Sequence, residues 1–192
     1  AFYRPLQECV DVCDRRLEQD TMDFDAIIFK GGAIGFRGRL RGDRGQYLKA
    51  ARDGLRCLPL LEKSRALDPT NKDILFGQAI YHYFAEVMPK EHKIVRPMMI
   101  FLPDGDRELG LQQLGEVARE GVYARTEAAY FLAQIYRMFE KDNHQALPWF
   151  EKLYARYPDN ALFHQYTARL LVELGRWRRG SALYEEYVRR TL

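Results

Sequence analysis

Residues 127–158 read EAAYFLAQIYRMFEKDNHQALPWFEKLYARYP, and residues 161–192 read ALFHQYTARLLVELGRWRRGSALYEEYVRRTL. Each stretch has an apolar segment, a short break rich in polar residues or glycine, and a second apolar segment. Ala146 of the first stretch corresponds to Gly180 of the second, 34 residues later. Self-similarity at a fixed spacing of this size is typical of repeat proteins, in which each repeat packs on the next. The end of the chain therefore predicts two consecutive helical hairpins.

The period of 34 residues and the order of the two apolar segments resemble the tetratricopeptide repeat (TPR). The resemblance extends over Lys72–Arg190 and, with weaker support, over Phe24–Asn71. It implies an all-α fold, a right-handed α-α superhelix (a TPR-like solenoid) of about 3.5–4 helical hairpins. Taken whole, the chain is similar to a bacterial TPR protein. It departs from the family pattern at Gln134, where the family prefers glycine, and at Arg137, where the family prefers tyrosine.

The rest of the chain has the same helical periodicity. Apolar residues recur at spacings of three and four, as one buried face of a helix requires. We expect a single TPR-like domain over residues 1–192. Besides the hairpins of the two quoted stretches, the predicted helices are Leu6–Leu17, about Phe24–Leu40, about Gln46–Leu67, about Lys72–Val87, and one from near Asp106 to before Gly121.

An insertion at about residues 88–105 separates the two helices of one hairpin. It holds three prolines around an apolar cluster, and insertions within repeats often lie on the binding face. The favoured interpretation is a loop that folds back over apolar surface, because exposed apolar patches are costly. The alternatives are a partner-binding or self-association element, and a contact with a membrane surface helped by Lys90, Lys93 and Arg96.

The TPR resemblance also implies where a partner would bind. In the family, ligands usually lie along the concave groove lined by the first helix of each hairpin, and an amphipathic or extended peptide suits such a surface. The candidates lack the lysine and asparagine set that clamps a C-terminal carboxylate in chaperone-binding TPRs. A helical apolar face does not by itself distinguish groove from core, so both interpretations stay open. The candidates are Phe76, Ile80, Tyr83, Phe84, Phe131, Ile135, Met138, Phe139, Gln165, Arg169 and Glu173.

From this resemblance we expect a non-enzymatic scaffold that binds a protein or peptide partner without a cofactor. One alternative is a homo-oligomeric structural protein. Another is an anion or RNA binder that uses Arg37, Arg41 and Arg44, which share a helical face. A solvated face partly paired with Asp43 and Asp53 is the favoured interpretation of this run. Nucleic acid is not the expected partner, because the net charge is only +3.

The sequence predicts no catalytic or metal site. The histidines lie far apart in different predicted elements, and Cys9, Cys13 and Cys57 are expected to be buried, inert thiols. Residues 30–35, KGGAIG, follow an apolar run in the manner of a phosphate-binding loop, but the order of a nucleotide motif is missing. We expect these glycines to let the paired helix approach closely.

The sequence is compatible with a location in the cytoplasm or, if an upstream signal peptide is removed, in the periplasm. The chain begins AFYRP, which is not a signal-peptide pattern, and it does not begin with Met, so we expect a mature or truncated piece. No apolar run reaches the length of about 18–20 residues that spans a bilayer. The absence of a visible partner helix before residues 1–13 favours truncation or a dimer contact. A polar cap is expected on the last helix, from Glu185, Glu186, Arg189 and Arg190.

Overall fold

The computed structural model describes residues 2–100 and 102–191. All of the regular secondary structure in this part of the chain is helical, which confirms the all-α prediction. A short 3-10 turn, Lys93–Val95, precedes α5. The helices are α1 Tyr3–Gln19, α2 Phe24–Gly42, α3 Tyr47–Leu67, α4 Ile74–Glu91, α5 Arg96–Met99, α6 Arg107–Glu120, α7 Arg125–Met138, α8 Asn143–Arg156, α9 Ala161–Glu173 and α10 Trp177–Thr191.

Local sequence signals fix the ends of several helices. Asp23 caps α2 by accepting a hydrogen bond from the backbone of Ala26, and Asp142 and Asn160 do the same for α8 and α9. These side chains satisfy N–H groups that have no partner within the helix. At the end of α9, Gly175 takes the left-handed conformation with φ of 73°, which favours glycine. The predicted helices therefore begin and end within a few residues of the observed ones.

The chain divides into two compact units, Ala1–Glu116 and Val117–Leu192. The prediction of one domain over the whole chain stays a prediction. In the first unit, α1 packs on α2, α2 on α3, and α4 on α6. One cluster in its core has Val10 of α1 against Ala33 and Ile34 of α2.

In the second unit, α7 pairs with α8 and α9 with α10, and α8 also packs on α9. The centre of this unit is Phe150, which is fully buried among small and aliphatic side chains from α7, α8 and α9. The core members that surround it include Ala129, Ala133, Ala146, Leu147, Leu170 and Leu171. Together with α2–α3 and α4–α6, these pairs make four helical hairpins within the described residues, the TPR-like organisation that the sequence predicts.

Small residues allow the two helices of a hairpin to approach closely. A Cβ atom on Gly110 of α6 would lie 2.7 Å from the backbone nitrogen of Tyr83 and 2.8 Å from the carbonyl oxygen of Ala79, both in α4. A Cβ on Gly180 of α10 would lie 3.2 Å from the carbonyl oxygen of Ala168 in α9. At Gly110 no side chain fits against the opposite backbone, so glycine is required there, whereas the contact at Gly180 is tight.

The spacing of these contacts locates the insertion. Ala168 and Gly180 are 12 residues apart, whereas Ala79 and Gly110 are 31 residues apart. The α4–α6 hairpin therefore closes with the same type of contact as the α9–α10 hairpin, but with 19 more residues between the contacting positions. The additional length falls where the insertion at about residues 88–105 is predicted, and that insertion stays a prediction.

Both ends of the insertion contact other helices of the first unit. On one side, the ring of His92 stacks on Tyr47 of α3 with ring centroids 3.8 Å apart, and Val95 is buried. On the other, the Tyr81 hydroxyl of α4 donates to the carbonyl oxygen of Pro103 at 2.5 Å. Part of the segment thus packs against α3 and α4, whereas Ile94 and Ile100 are 61% and 78% exposed. Phe101, in the middle of the predicted apolar cluster, lies outside the described residues.

Alanine substitutions at two glycines of the first unit are expected to have opposite effects on stability. Gly110→Ala forces a methyl group against the α4 backbone and should lower the free energy of unfolding by about 1–3 kcal/mol. Gly32→Ala, on an open face of α2, should raise it by about 0.5–1 kcal/mol, because alanine favours the helix. Urea unfolding followed by circular dichroism measures both. Equal effects of the two substitutions would contradict the close approach at Gly110.

Candidate functional site

The groove candidates on α7 divide between core and surface. Ile135 is 1% exposed and belongs to the interior, and Phe131 is half-buried. Met138 and Phe139, at the end of the helix, are 56% and 37% exposed. Only the last turn of α7 therefore presents substantial apolar surface.

The candidates on α9 are exposed or half-buried and are held by hydrogen bonds. Arg169 Nε donates to Glu173 Oε1 at 2.7 Å, and this hydrogen bond raises the pKa of Arg169. Glu173 Oε2 accepts from Asn143 Nδ2 at 3.0 Å, and Asn143 follows Phe139 by four residues. Gln165 Nε2 donates to the hydroxyl of Tyr187 at 3.0 Å. The hydrogen bonds of Glu173 link α9 to the start of α8, directly after the apolar end of α7.

We call Met138, Phe139, Gln165, Arg169 and Glu173 the α7–α9 face. It combines two exposed apolar side chains with three polar ones whose positions are fixed by neighbours. The Arg169–Glu173 ion pair makes the face electrically balanced.

A layer of aromatic rings supports this face from within. Phe150 stacks on Tyr166 with centroids 4.9 Å apart, and Tyr130 meets Phe150 edge to face at 6.3 Å. Arg137 lies over the Tyr166 ring at 4.9 Å and donates to Gln134, which in turn donates to the Tyr130 hydroxyl. Aromatic pairs and cation–π contacts of this kind favour one arrangement of the side chains. The two departures from the TPR pattern, Gln134 and Arg137, are thus part of one network.

The groove candidates on α4, in the first unit, are mostly interior. Tyr83 is fully buried and packs edge to face on Phe84, with centroids 5.1 Å apart. Phe76, Ile80 and Phe84 are half-buried. This segment accordingly serves as core more than as binding surface.

The three arginines proposed as an anion patch have different surroundings. Arg37 is 7% exposed and donates to fully buried Asp53 through Nη2 at 2.9 Å, and to Gln7 through Nη1 at 3.0 Å. Arg41 donates to the same carboxylate at 2.5 Å. Arg44 is exposed and lies 5.1 Å from the centroid of the Tyr3 ring.

This arrangement corrects the interpretation of the arginine run as a solvated face. Pairing with Asp53 is present, but Arg37 is buried, because the side chain crosses from α2 to α3 and α1. The other expected partner, Asp43, lies 3.9 Å from Arg39 instead. An anion at this face would have to compete with Asp53 for two of the three arginines.

One exposed face was missed at the sequence level. Phe29 and Phe36, seven residues apart on α2, are 61% and 44% exposed. Between them, a Cβ on Gly32 or Gly35 would meet nothing within 4 Å. The expectation that these glycines let the paired helix approach closely is therefore wrong for Gly32 and Gly35, and at Gly31 a Cβ would make an ordinary contact, 3.6 Å from the Cβ of Leu60. The seven-residue spacing of Phe29 and Phe36, which places both on the same side of a helix, is the sequence signal that could have predicted this face.

Cys9, Cys13 and Cys57 are free thiols, of which Cys13 is buried as expected and the other two are half-buried. Burial, with a smaller contribution from Cys9, raises the pKa of Cys13 to about 11. Burial, followed by the nearby charge of Asp53, raises the pKa of Cys57 to about 11. Over residues 2–100 and 102–191, no group of three or more His, Cys, Asp or Glu side chains is placed to hold a metal ion. No helix among the described residues is long and apolar enough to cross a bilayer.

Comparison with solved structures identifies a similar fold. A crystal structure of MamA, a TPR-containing protein, matches with a TM-score of 0.54 and 14% sequence identity, covering 95% of this chain and 86% of that one. The fold is TPR-like. A second MamA structure matches at 14% identity over 96% of this chain and 90% of that one, with a TM-score of 0.49. No protein-family model and no curated protein matches the sequence.

The TPR-like fold accounts for the positions of Ala168 and Gly180, whose close contact joins the helices of one hairpin. A second structural feature is the buried Arg37–Asp53 pair of the first unit. That pair joins three helices, because Gln7 of α1 also accepts from Arg37.

The Asp53→Asn substitution is expected to destabilise the protein strongly. It keeps the side-chain shape but leaves Arg37 buried without its counter-charge, which should cost about 3–5 kcal/mol. Asp43→Asn is the matched control, because that carboxylate is exposed and its contact with Arg39 is worth less than about 1 kcal/mol. Urea denaturation of both variants provides the comparison. A loss in the Asp53 variant no larger than in the control would show that Arg37 does not depend on Asp53.

Proposed function

We propose that this protein is a non-enzymatic interaction module and that the α7–α9 face binds a peptide segment of a protein partner. The observation that carries the proposal is the position of exposed Met138 and Phe139 next to the ordered Arg169–Glu173–Asn143 network. The TPR-like fold supports it, because helical-repeat proteins offer extended surfaces to their partners.

The chemistry of the face indicates what kind of segment would fit. Met138 and Phe139 would cover an apolar side chain of the peptide, since thioether and aromatic groups adapt to varied shapes. Gln165 and Asn143 donate through their amide nitrogens, and an amide oxygen can also accept from a peptide N–H. The expected ligand is an extended or helical segment with one apolar side chain that covers Met138 and Phe139. Its backbone would form hydrogen bonds with the amide side chains.

The electrostatics of the face predict weak dependence on salt. Arg169 and Glu173 compensate one another at 2.7 Å, so a peptide gains little from long-range attraction. This property separates peptide binding from the alternative of anion or RNA binding through Arg37, Arg41 and Arg44. Affinity in that case would fall steeply with salt, because counterions are released when cationic side chains bind phosphates.

Other described features fit an interaction role more readily than catalysis. The Cys13 and Cys57 thiols are held in the protonated form by their raised pKa values, which makes them poor nucleophiles. His164 is buried, and its Nε2 lies 2.7 Å from the carbonyl oxygen of Leu183, where it serves packing between α9 and α10.

Peptides selected from a random display library on the purified protein should lose affinity for a Met138→Ser/Phe139→Ser variant. Removing both side chains should cost about 1–2 kcal/mol of binding, or about a five- to thirtyfold rise in Kd, because only part of each side chain is open to be covered by a ligand. Fluorescence anisotropy with a labelled selected peptide measures the change, at low and at physiological salt.

The matched control is Met22→Ser/Leu48→Ser. These side chains are 53% and 42% exposed, close to the values for Met138 and Phe139, but lie in the first unit. The control should bind the selected peptides as the natural chain does, and circular dichroism should confirm the helix content of both variants. Selected peptides that bind the two variants equally well would exclude the α7–α9 face as their site.

A further inference from the structure

The insertion exposes apolar side chains that have no part in closing the α4–α6 hairpin. The α9–α10 hairpin closes with 12 residues between its contacting positions, so the 19 additional residues of the α4–α6 hairpin are not required for closure. Val95 and the ring of His92 anchor the segment to the first unit. We call residues 93–100 the insertion tip.

The exposed side chains of the insertion tip are of two kinds. Ile94 and Ile100, six residues apart in the chain, are 61% and 78% exposed. Lys93 and Arg96 are exposed beside them, and Arg96 Nε donates to the carbonyl oxygen of Pro89, which fixes the base of its side chain. The tip therefore combines protruding apolar groups with two cations.

Neighbouring charges leave the tip positive. Lys90 pairs with Glu86 of α4 at 2.7 Å, so its charge is largely compensated. Residues 93–100 contain no acidic residue, Glu91 precedes the tip, and exposed Asp104 follows it by four residues. Lys93 and Arg96 carry the net charge of the surface that Ile94 and Ile100 present.

We propose that the insertion tip docks the protein on the surface of a membrane that contains anionic lipids. Ile94 and Ile100 enter the boundary between headgroups and acyl chains, and Lys93 and Arg96 lie at the level of the lipid phosphates. Side chains that protrude to this extent suit a deformable lipid surface, whereas a peptide is usually held in a groove. The segment is far too short to span the bilayer, so the contact is peripheral and reversible.

Cosedimentation of the full chain with sucrose-loaded vesicles tests the proposal. The vesicles are phosphatidylcholine alone, or phosphatidylcholine with about one third phosphatidylserine, which supplies the anionic surface. The protein should bind the second kind and be released by salt. Lys93→Gln/Arg96→Gln should weaken partitioning by about 25-fold, at about fivefold for each cation. Ile94→Ser/Ile100→Ser should weaken it by at least about tenfold, because the apolar anchor is removed.

Two controls match these variants. Arg15→Gln/Arg178→Gln removes two exposed cations elsewhere and lowers the net charge equally, and Val122→Ser/Val188→Ser removes two exposed aliphatic side chains. Both controls should bind as the natural chain does. Failure of the natural chain to bind anionic vesicles, or equal losses in tip and control variants, would overturn the proposal. Binding to poly-glutamate peptides without binding to vesicles would also overturn it and assign the tip to an acidic protein partner.

Discussion

The structure depends on the distance at which two helix backbones can pack within a hairpin. Where Gly110 meets α4, a single methyl group would collide with backbone atoms of the opposite helix, and where Gly180 meets α9 it would lie only 3.2 Å from a backbone carbonyl oxygen. These contacts set the separation of the paired helices, and hence which side chains can reach the interior. A chain can add many residues between the two contacting positions, as it does here, provided that the contact itself is preserved.

This constraint explains why the helices could be predicted from the sequence, whereas the division of the groove candidates into buried and exposed residues could not. Small residues and the 34-residue period can be read directly from the sequence, and they mark the positions at which the paired helices make contact. Ile135 and Met138 lie three residues apart on one apolar stripe, yet the first is interior and the second is exposed. The difference arises from neighbouring helices, which a periodic pattern does not specify.

Long-range polar contacts were the least accessible to sequence reasoning. Asp53 was among the expected partners of the arginine run, but nothing in the spacing indicates that the carboxylate is fully buried or that Gln7 of another helix completes its network. Gln134 and Arg137 differ from the family pattern, whereas in the fold they link two tyrosines of α7 and α9. In both cases a polar side chain gains its role from partners distant in sequence, and buried polar groups are stable only when such partners are present.

Hydrogen exchange measured by mass spectrometry, on the full chain with and without a display-selected peptide, tests the central claim most directly. Binding at the α7–α9 face should slow exchange in the last turn of α7, the start of α8 and the exposed side of α9, because these backbone segments carry Met138, Asn143 and Arg169. Exchange in α2 and in the insertion should be unchanged. Protection centred on Phe29–Phe36 of α2 or on the insertion, with none in α7 and α9, would contradict the account and place the peptide site elsewhere.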